Sequence, residues 1–324
     1  MNHVNVAFIG AGGLANAMHY PSLASFEDVE IVGICDLDET RRTETAKKFS
    51  VDRTFADYRE MLEQTRPDAV YALMPPYHLF DIAMNVIEGG FPVFVEKPPA
   101  VTTDQARALG RRAEQMNVVT GVGFQRRYQP MMRRCYERTT QDGPVHQVVG
   151  SFYKHQEPAD PHPYYRGAID ILRCDAIHVV DAVRYFCGSA PVRSVASEVR
   201  NLDAHYPVTF NALVHFENDA VGVMLLNWRS GRRFLNLEFH AKGACGFASI
   251  DGSASVWEKG DEEPVLQEQF NQESDEEYIN QGFLAENRAF IDAVKSGEPP
   301  HNSISDAVIS MDLADRIYAS MINK

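Results

Sequence analysis

Cysteine is scarce and scattered in this chain: Cys35, Cys135, Cys174, Cys187 and Cys245 are odd in number among 324 residues, and none belongs to a CxxC pair. That pattern excludes a disulfide framework and a thiolate zinc site, and it points to a reducing cytoplasm. Long apolar runs are missing too. No stretch approaches the roughly 18 residues that a bilayer span needs, so no membrane association is expected. The apolar opening Val4 to Ile9 is short and follows no Lys or Arg, which makes it a buried strand rather than a signal sequence. Positive charge is in deficit, with 31 Lys and Arg against 45 Asp and Glu and a formal net charge of −14, which argues against binding a nucleic-acid backbone. Residues 251–280 hold ten of those acids and a single base, Lys259, so most of the excess belongs to one segment. Internal repeats and low-complexity tracts are absent. With 44% hydrophobic and 23% charged residues, disorder, collagen and coiled coil are excluded.

What is present is alternation. Val4 to Ile9, Val29 to Cys35, Ala69 to Met74, Val93 to Val95 and Val118 to Phe124 are short, β-branched-rich and nearly continuous runs, as strands buried on both faces should be. Thr40 to Phe49, Asp57 to Gln64, Leu79 to Ile87 and Thr103 to Met116 are helix-compatible and fill the gaps between them. This pattern predicts a doubly wound parallel sheet. After Phe124 the character changes. Val208, Phe210, Ala212, Val214 and Phe216 recur at period two, residues 217–219 read as a turn, and Val221, Val223 and Leu225 resume the period. Phe234 to Phe239 and Gly246 to Ile250 continue the idea, preceded by a helix from Ile169 to Phe186 and followed by helices Phe283 to Lys295 and Ser305 to Met321. The expected fold class is therefore α/β: an N-terminal Rossmann-type domain over residues 1–124, then an α+β domain over 125–324 with an open-faced, largely antiparallel sheet.

Gly10-Ala11-Gly12-Gly13-Leu14-Ala15 is a GxGxxA turn directly after the first strand and ahead of a helical stretch. Glycines there permit a tight turn and let backbone N–H groups approach a diphosphate at a helix N-terminus. Asp36 ends the second strand 21 residues beyond Ala15, close to the spacing of an acid that bonds an adenosine ribose. A carboxylate at that point repels a 2′-phosphate and favours NAD, although NADP stays possible because Arg41 and Arg42 follow. Those two arginines read as a solvated helix face. Glu96-Lys97-Pro98 follows the fourth strand at the carboxyl edge of the sheet, where open α/β folds place ligands, and an ammonium there can stabilise alkoxide character. P-loop and metalloprotease signatures, the tyrosine, serine and lysine set of short-chain dehydrogenases, and any convincing metal-ligand cluster are all lacking, so the chemistry is expected to be metal-independent.

Together with Pro75 and His78 after the third strand, the run Gly123-Phe124-Gln125-Arg126-Arg127, Asp175 to Asp181, Glu286-Asn287-Arg288-Ala289-Phe290 and Ser303 to Asp306, these motifs resemble the Gfo/Idh/MocA family of nicotinamide-dependent sugar and polyol oxidoreductases. The resemblance spans the chain. It implies a Rossmann domain followed by an open-faced α/β domain, with the cofactor at the junction and Gly10, Gly12, Gly13, Leu14, Ala15, Asp36, Pro75, His78 and Glu96 as its contacts. It also implies a reactive cluster in which Lys97 matches the lysine of the EKP motif and His178 the helix-borne histidine, with Asp181 at the usual offset beyond it. One departure stands out. Many members carry an aspartate four residues before the histidine, where this chain has Cys174, while Asp175 is three before it. On a regular helix, residues three and four apart share a face but lie to opposite sides of the reference residue, so Asp175 can neighbour His178 from a shifted angle.

His178 is the expected proton carrier, because an imidazole with a free pKa of about 6.5 can accept a hydroxyl proton near neutrality. Arg166, next to Tyr165, resembles a family Trp-Arg pair, and with Tyr153, Lys97, Asp175 and His178 completes the expected substrate contacts. Arg126 and Arg127 are read as members of a polar loop. The expected activity is NAD(P)-dependent interconversion of a secondary alcohol and a ketone on a sugar, polyol or sugar derivative. An NAD-dependent redox-neutral glycosidase and a non-catalytic NAD-binding regulator of the same fold are the alternatives. The resemblance further implies a homodimer or homotetramer.

Overall fold

The computed structural model describes residues 3–157 and 162–321. The chain falls into two compact units, one of residues 1–125 with 276–308, the other of 126–275 with 309–324. In the first, strands β1 (Val4–Ile9), β2 (Val29–Cys35), β3 (Thr54–Phe55), β4 (Ala69–Ala72), β5 (Val93–Val95) and β6 (Thr120–Val122) form a parallel sheet in the order β3-β2-β1-β4-β5-β6. Helices α1 (Tyr20–Ala24), α2 (Glu39–Phe49), α3 (Tyr58–Thr65), α4 (Pro76–Glu88) and α5 (Thr103–Met116) occupy the crossovers. The doubly wound sheet read from the alternation is thus present, with β3 as the one strand too short to leave a periodic signal. Val4, Val6, Ala7 and Phe8 of β1 are fully buried, which is why the strand is apolar at consecutive positions. Strand order reverses between β1 and β4, so the carboxyl ends of these two strands mark the switch point where such sheets bind ligands.

Local chemistry sets the helix starts. Asp38 accepts from the Arg41 N–H at 3.1 Å to cap α2, Asp57 from Arg59 at 2.8 Å to cap α3, and Thr102 from Gln105 at 3.2 Å to cap α5.

The second unit contains α6 (Pro130–Thr139), β7 (Val145–His155), α7 (Ile177–Phe186), β8 (Val192–Arg200), β9 (Thr209–Phe216), β10 (Val221–Asn227), β11 (Arg229–Ala241), β12 (Ala244–Ser249), β13 (Ser253–Glu258) and β14 (Leu266–Gln269). Its eight strands run β14-β13-β12-β11-β7-β10-β9-β8, all neighbours antiparallel except β7 with β10. The period-two residues Phe210, Ala212, Val214 and Phe216 are all buried, while Leu213 between them is exposed. Helix α7 lies close on the covered face because β7 and β10 present Gly150 and Gly222. A Cβ on Gly150 would meet Val179 at 2.5 Å, and one on Gly222 would meet Val183 at 2.6 Å.

Beyond these strands come α8 (Glu277–Asn280), α9 (Phe283–Ser296) and α10 (Ile304–Ala319). Phe290 and Ile291 of α9 share one apolar cluster with Val4, Val6 and Phe8, so residues 276–308 pack with the first unit, and a single division after Phe124 does not describe the contacts. The stretch read as one helix from Ile169 to Phe186 is not uniform. Leu172–Ala176 forms a π-helical turn before α7, so the regular-turn argument about Asp175 and His178 does not apply there. Among the described residues, no helix is long and apolar enough to cross a membrane.

Candidate functional site

At the carboxyl ends of β1, β2 and β4 the first unit forms an open cleft of about 810 Å³, lined among others by Gly10, Gly12, Asp36, Pro75 and His78. The chain turns sharply at Gly10, where φ is +115° and a Cβ would lie 2.1 Å from the Leu73 carbonyl oxygen, so only glycine fits. At Gly12 and Gly13 an added Cβ would meet nothing within 4 Å. Protein packing therefore does not require glycine at those two positions, and their backbone faces open space. The Asp36 carboxylate closes one wall: Oδ2 accepts from the Ala11 N–H at 2.8 Å and Oδ1 from the Asp38 N–H at 2.9 Å, which ties the end of β2 to the glycine turn. Each oxygen keeps a second lone pair for a ribose hydroxyl. An open glycine turn, a carboxylate on the wall and a cleft of this size together fit a dinucleotide.

Not every residue assigned to the cofactor lines this cavity. Ala15 turns into the apolar core at 3% exposure, and Leu14 is exposed. Glu96 is engaged elsewhere, with Oε1 2.9 Å from Nε2 of the buried His19. Arg42, read as a solvated residue, instead donates to the Asp36 carbonyl at 3.3 Å with its side chain only 16% exposed, because the start of α2 folds it back over the strand end.

In the second unit, the structure gathers Asp175 with two residues that sequence reasoning missed. Lys154 of β7 and the Tyr164 hydroxyl both donate to Asp175 Oδ2, and Trp228 Nε1 donates to the Tyr164 oxygen at 3.1 Å. Burial, and after it the Asp175 charge, push the Tyr164 phenol well above its ordinary value, so this hydroxyl stays protonated and keeps donating. His178 sits on α7 at 7% exposure.

Tyr153 is not brought to this cluster. Successive side chains of a strand alternate, so when Lys154 faces Asp175, Tyr153 faces the other side, where it stacks on Phe234 and lines a polar groove with Glu198, Arg200 and Asn211. The usable signal was parity: Gly150, Phe152 and Lys154 share one face. Arg166 is exposed, and Tyr165, Arg166 and Gly167 are three successive residues of positive φ, at 50°, 57° and 84°, of which the two non-glycine residues are strained. The Arg126 and Arg127 reading is corrected. Both are buried, and Arg127, completely so, is bonded to Asp181.

Comparison with known proteins agrees with this geometry. Residues 4–124 match the profile of an oxidoreductase family with an NAD-binding Rossmann fold. The chain is 28% identical to D-glucoside 3-dehydrogenase of Escherichia coli (strain K12) over 59% of its length and 56% of that protein's. It is 25% identical to scyllo-inositol 2-dehydrogenase (NAD(+)) of Bacillus subtilis (strain 168) over 68% of its length and 66% of that protein's. These matches span roughly half to two thirds of the relatives. A solved dehydrogenase from Chromobacterium violaceum shares the fold, with a TM-score of 0.88 at 22% identity, over 99% of this chain and 96% of that one.

Proposed function

We propose, from the match of residues 4–124 to an oxidoreductase family with an NAD-binding Rossmann fold, that the whole chain is an NAD-dependent dehydrogenase of the Gfo/Idh/MocA kind. It oxidises a secondary alcohol of a sugar or polyol, or reduces the matching ketone. The observation that carries the reading is the glycine turn that is open at Gly12 and Gly13 beside the Asp36 carboxylate. Asp36 favours NAD over NADP by repelling a 2′-phosphate. The named activities of the two relatives, a glucoside and an inositol dehydrogenase, support the substrate class and favour oxidoreduction over hydrolysis.

Bound NAD supplies the two-electron acceptor; the chain supplies charge, orientation and proton handling. Lys97 stabilises negative charge developing on the substrate oxygen. His178 takes the hydroxyl proton and returns it in the reverse direction. Asp175, held by Lys154 and Tyr164, presents a fixed carboxylate to a substrate hydroxyl. Arg166 contributes a guanidinium from its strained loop, and Pro75 and His78 contact the cofactor from the start of α4. The same reading includes assembly into a dimer or tetramer in a reducing cytoplasm.

A panel of neutral sugars, glycosides, inositols and sugar acids, each with NAD and with NADP, tests this by reduced-nicotinamide absorbance. Turnover of at least one polyhydroxylated alcohol with NAD is expected, and its collapse in Lys97→Ala with NAD binding retained. No turnover on any member, or full turnover in Lys97→Ala, overturns the assignment.

A further inference from the structure

Four separated pieces of the first unit build one clamp around the carboxylate of Glu96. His19, the last residue of the π-helical segment Ala15–His19 that follows the glycine turn, is fully buried and approaches Glu96 Oε1 with Nε2 at 2.9 Å. Its other nitrogen, Nδ1, is 3.1 Å from Asn287 Oδ1 of α9, and the Asn287 amide donates to Ser22 Oγ at 2.9 Å. The imidazole is walled by rings, with centroids of Phe283, Phe94 and Tyr71 at 5.1, 5.4 and 5.9 Å, so it has little room to rotate. Because a carboxylate only accepts, the Nε2–H of His19 donates to Glu96.

The second carboxylate oxygen, Oε2, accepts from the backbone N–H of Lys97 at 3.2 Å. The side chain of Glu96 therefore bonds the peptide that carries Lys97, and His19 holds that side chain in place. Gly123, after β6, closes the arrangement: a Cβ there would lie 2.8 Å from the carboxyl carbon and from both carboxylate oxygens. Only a residue without a side chain lets Glu96 keep this position.

We propose that His19 is a positioning residue for Lys97, acting through Glu96, with Asn287 and Gly123 completing the clamp. The inference rests on the reading of Lys97 as the group that stabilises the substrate oxygen. An ammonium at the end of a flexible stem must begin from a fixed Cα if it is to meet one atom repeatedly, and a displacement of about 1 Å can cost roughly a hundredfold in rate. The clamp supplies that fixed origin from the core side, where His19 is fully buried and the Glu96 side chain is only 12% exposed.

The test compares His19→Gln, Glu96→Gln, the double variant and Gly123→Ala with wild type and Lys97→Ala, using the panel's best substrate. It reads kcat, KM, NAD affinity and melting temperature. Each single change is expected to lower kcat about ten- to hundredfold while KM and the NAD Kd stay within about threefold. The double variant should be no worse than the poorer single one, since both residues act as one unit. Glu96→Gln and Gly123→Ala carry the test if His19→Gln does not fold. A kcat within twofold of wild type in the folded variants, or losses that simply multiply in the double variant, overturns the proposal while Lys97→Ala remains inactive. Turnover retained in Lys97→Ala instead overturns the assignment of Lys97 itself.

Discussion

Arg127 grips Asp181 with two parallel bonds, Nε to Oδ2 at 2.7 Å and a second from the terminal guanidinium nitrogen to Oδ1, and both side chains are almost wholly buried. Ser310 also donates to Asp181 at 2.7 Å, and Arg184 donates to Ser310 at 2.9 Å. This pair anchors the segment leading into α6 to the helix that bears His178.

Asp181→Ala leaves a buried guanidinium without its carboxylate, a change that costs about 3–5 kcal/mol when a buried pair is broken. Urea unfolding should show the loss in the transition that reports the second unit. A change below about 1 kcal/mol would mean that the pair contributes no more than an exposed one.

Gly10→Ala and Gly12→Ala should separate packing from ligand binding. The first drives a Cβ into the Leu73 carbonyl at a positive φ and is expected to destabilise the fold by at least about 2 kcal/mol. The second meets no protein atom within 4 Å, so stability should stay within about 0.5 kcal/mol while the NAD Kd rises tenfold or more. Calorimetric melting and NAD titration on both variants decide the matter; unchanged NAD affinity in Gly12→Ala would remove the diphosphate from this turn.

Lys154→Met removes the ammonium from Asp175 and leaves Tyr164 as its remaining donor within the cluster described above. We expect kcat/KM to fall about ten- to hundredfold with NAD affinity unchanged, and Lys154→Arg to restore part of it. Equal kinetics in Met and wild type would detach Lys154 from the substrate site.

Burial raises the thiols of Cys35, Cys135 and Cys187 from an ordinary 9.0 to about 12, with the Asp36 charge adding to the effect at Cys35. The folded chain therefore holds these protons more tightly than the unfolded chain does. Their contribution to stability is complete below about pH 9 and is lost as pH rises through about 12. Iodoacetamide at pH 8 should leave these three unmodified in the native protein and label them after denaturation. Rapid labelling of the native protein at these positions, located by mass spectrometry, would contradict the burial.

Legibility differs between the units for a physical reason. In the first, β1 and β5 are legible to their bounds because burial on both faces makes nearly the whole segment apolar; β2, where Glu30 is exposed and only Gly33, Ile34 and Cys35 are buried, is legible through its β-branched residues, and Asp36 stands out because its distance from the glycine turn is set by one βαβ unit. In the second, β9 is legible because its covered face imposes period two, whereas in β10 the residues read at that period, Val221, Val223 and Leu225, lie on the open face, and Gly222, Met224 and Leu226 are the buried ones. Strand β7 leaves no such signal: its polar residues interrupt that period, and Gly150 is there to admit α7, a requirement that comes from another element.

What the sequence determined by itself was therefore local: which segments are strands or helices, where the turn opens, and which residue types stand at the sheet's carboxyl edge. The tertiary structure decided the partners. That Lys154 rather than Tyr153 meets Asp175, that Arg127 is buried against Asp181, and that His19 holds Glu96 all depend on residues 21 to 77 positions apart. Periodicity records which face of an element is covered, but the group that satisfies a buried charge comes from whichever element packs there, and no local pattern encodes that choice.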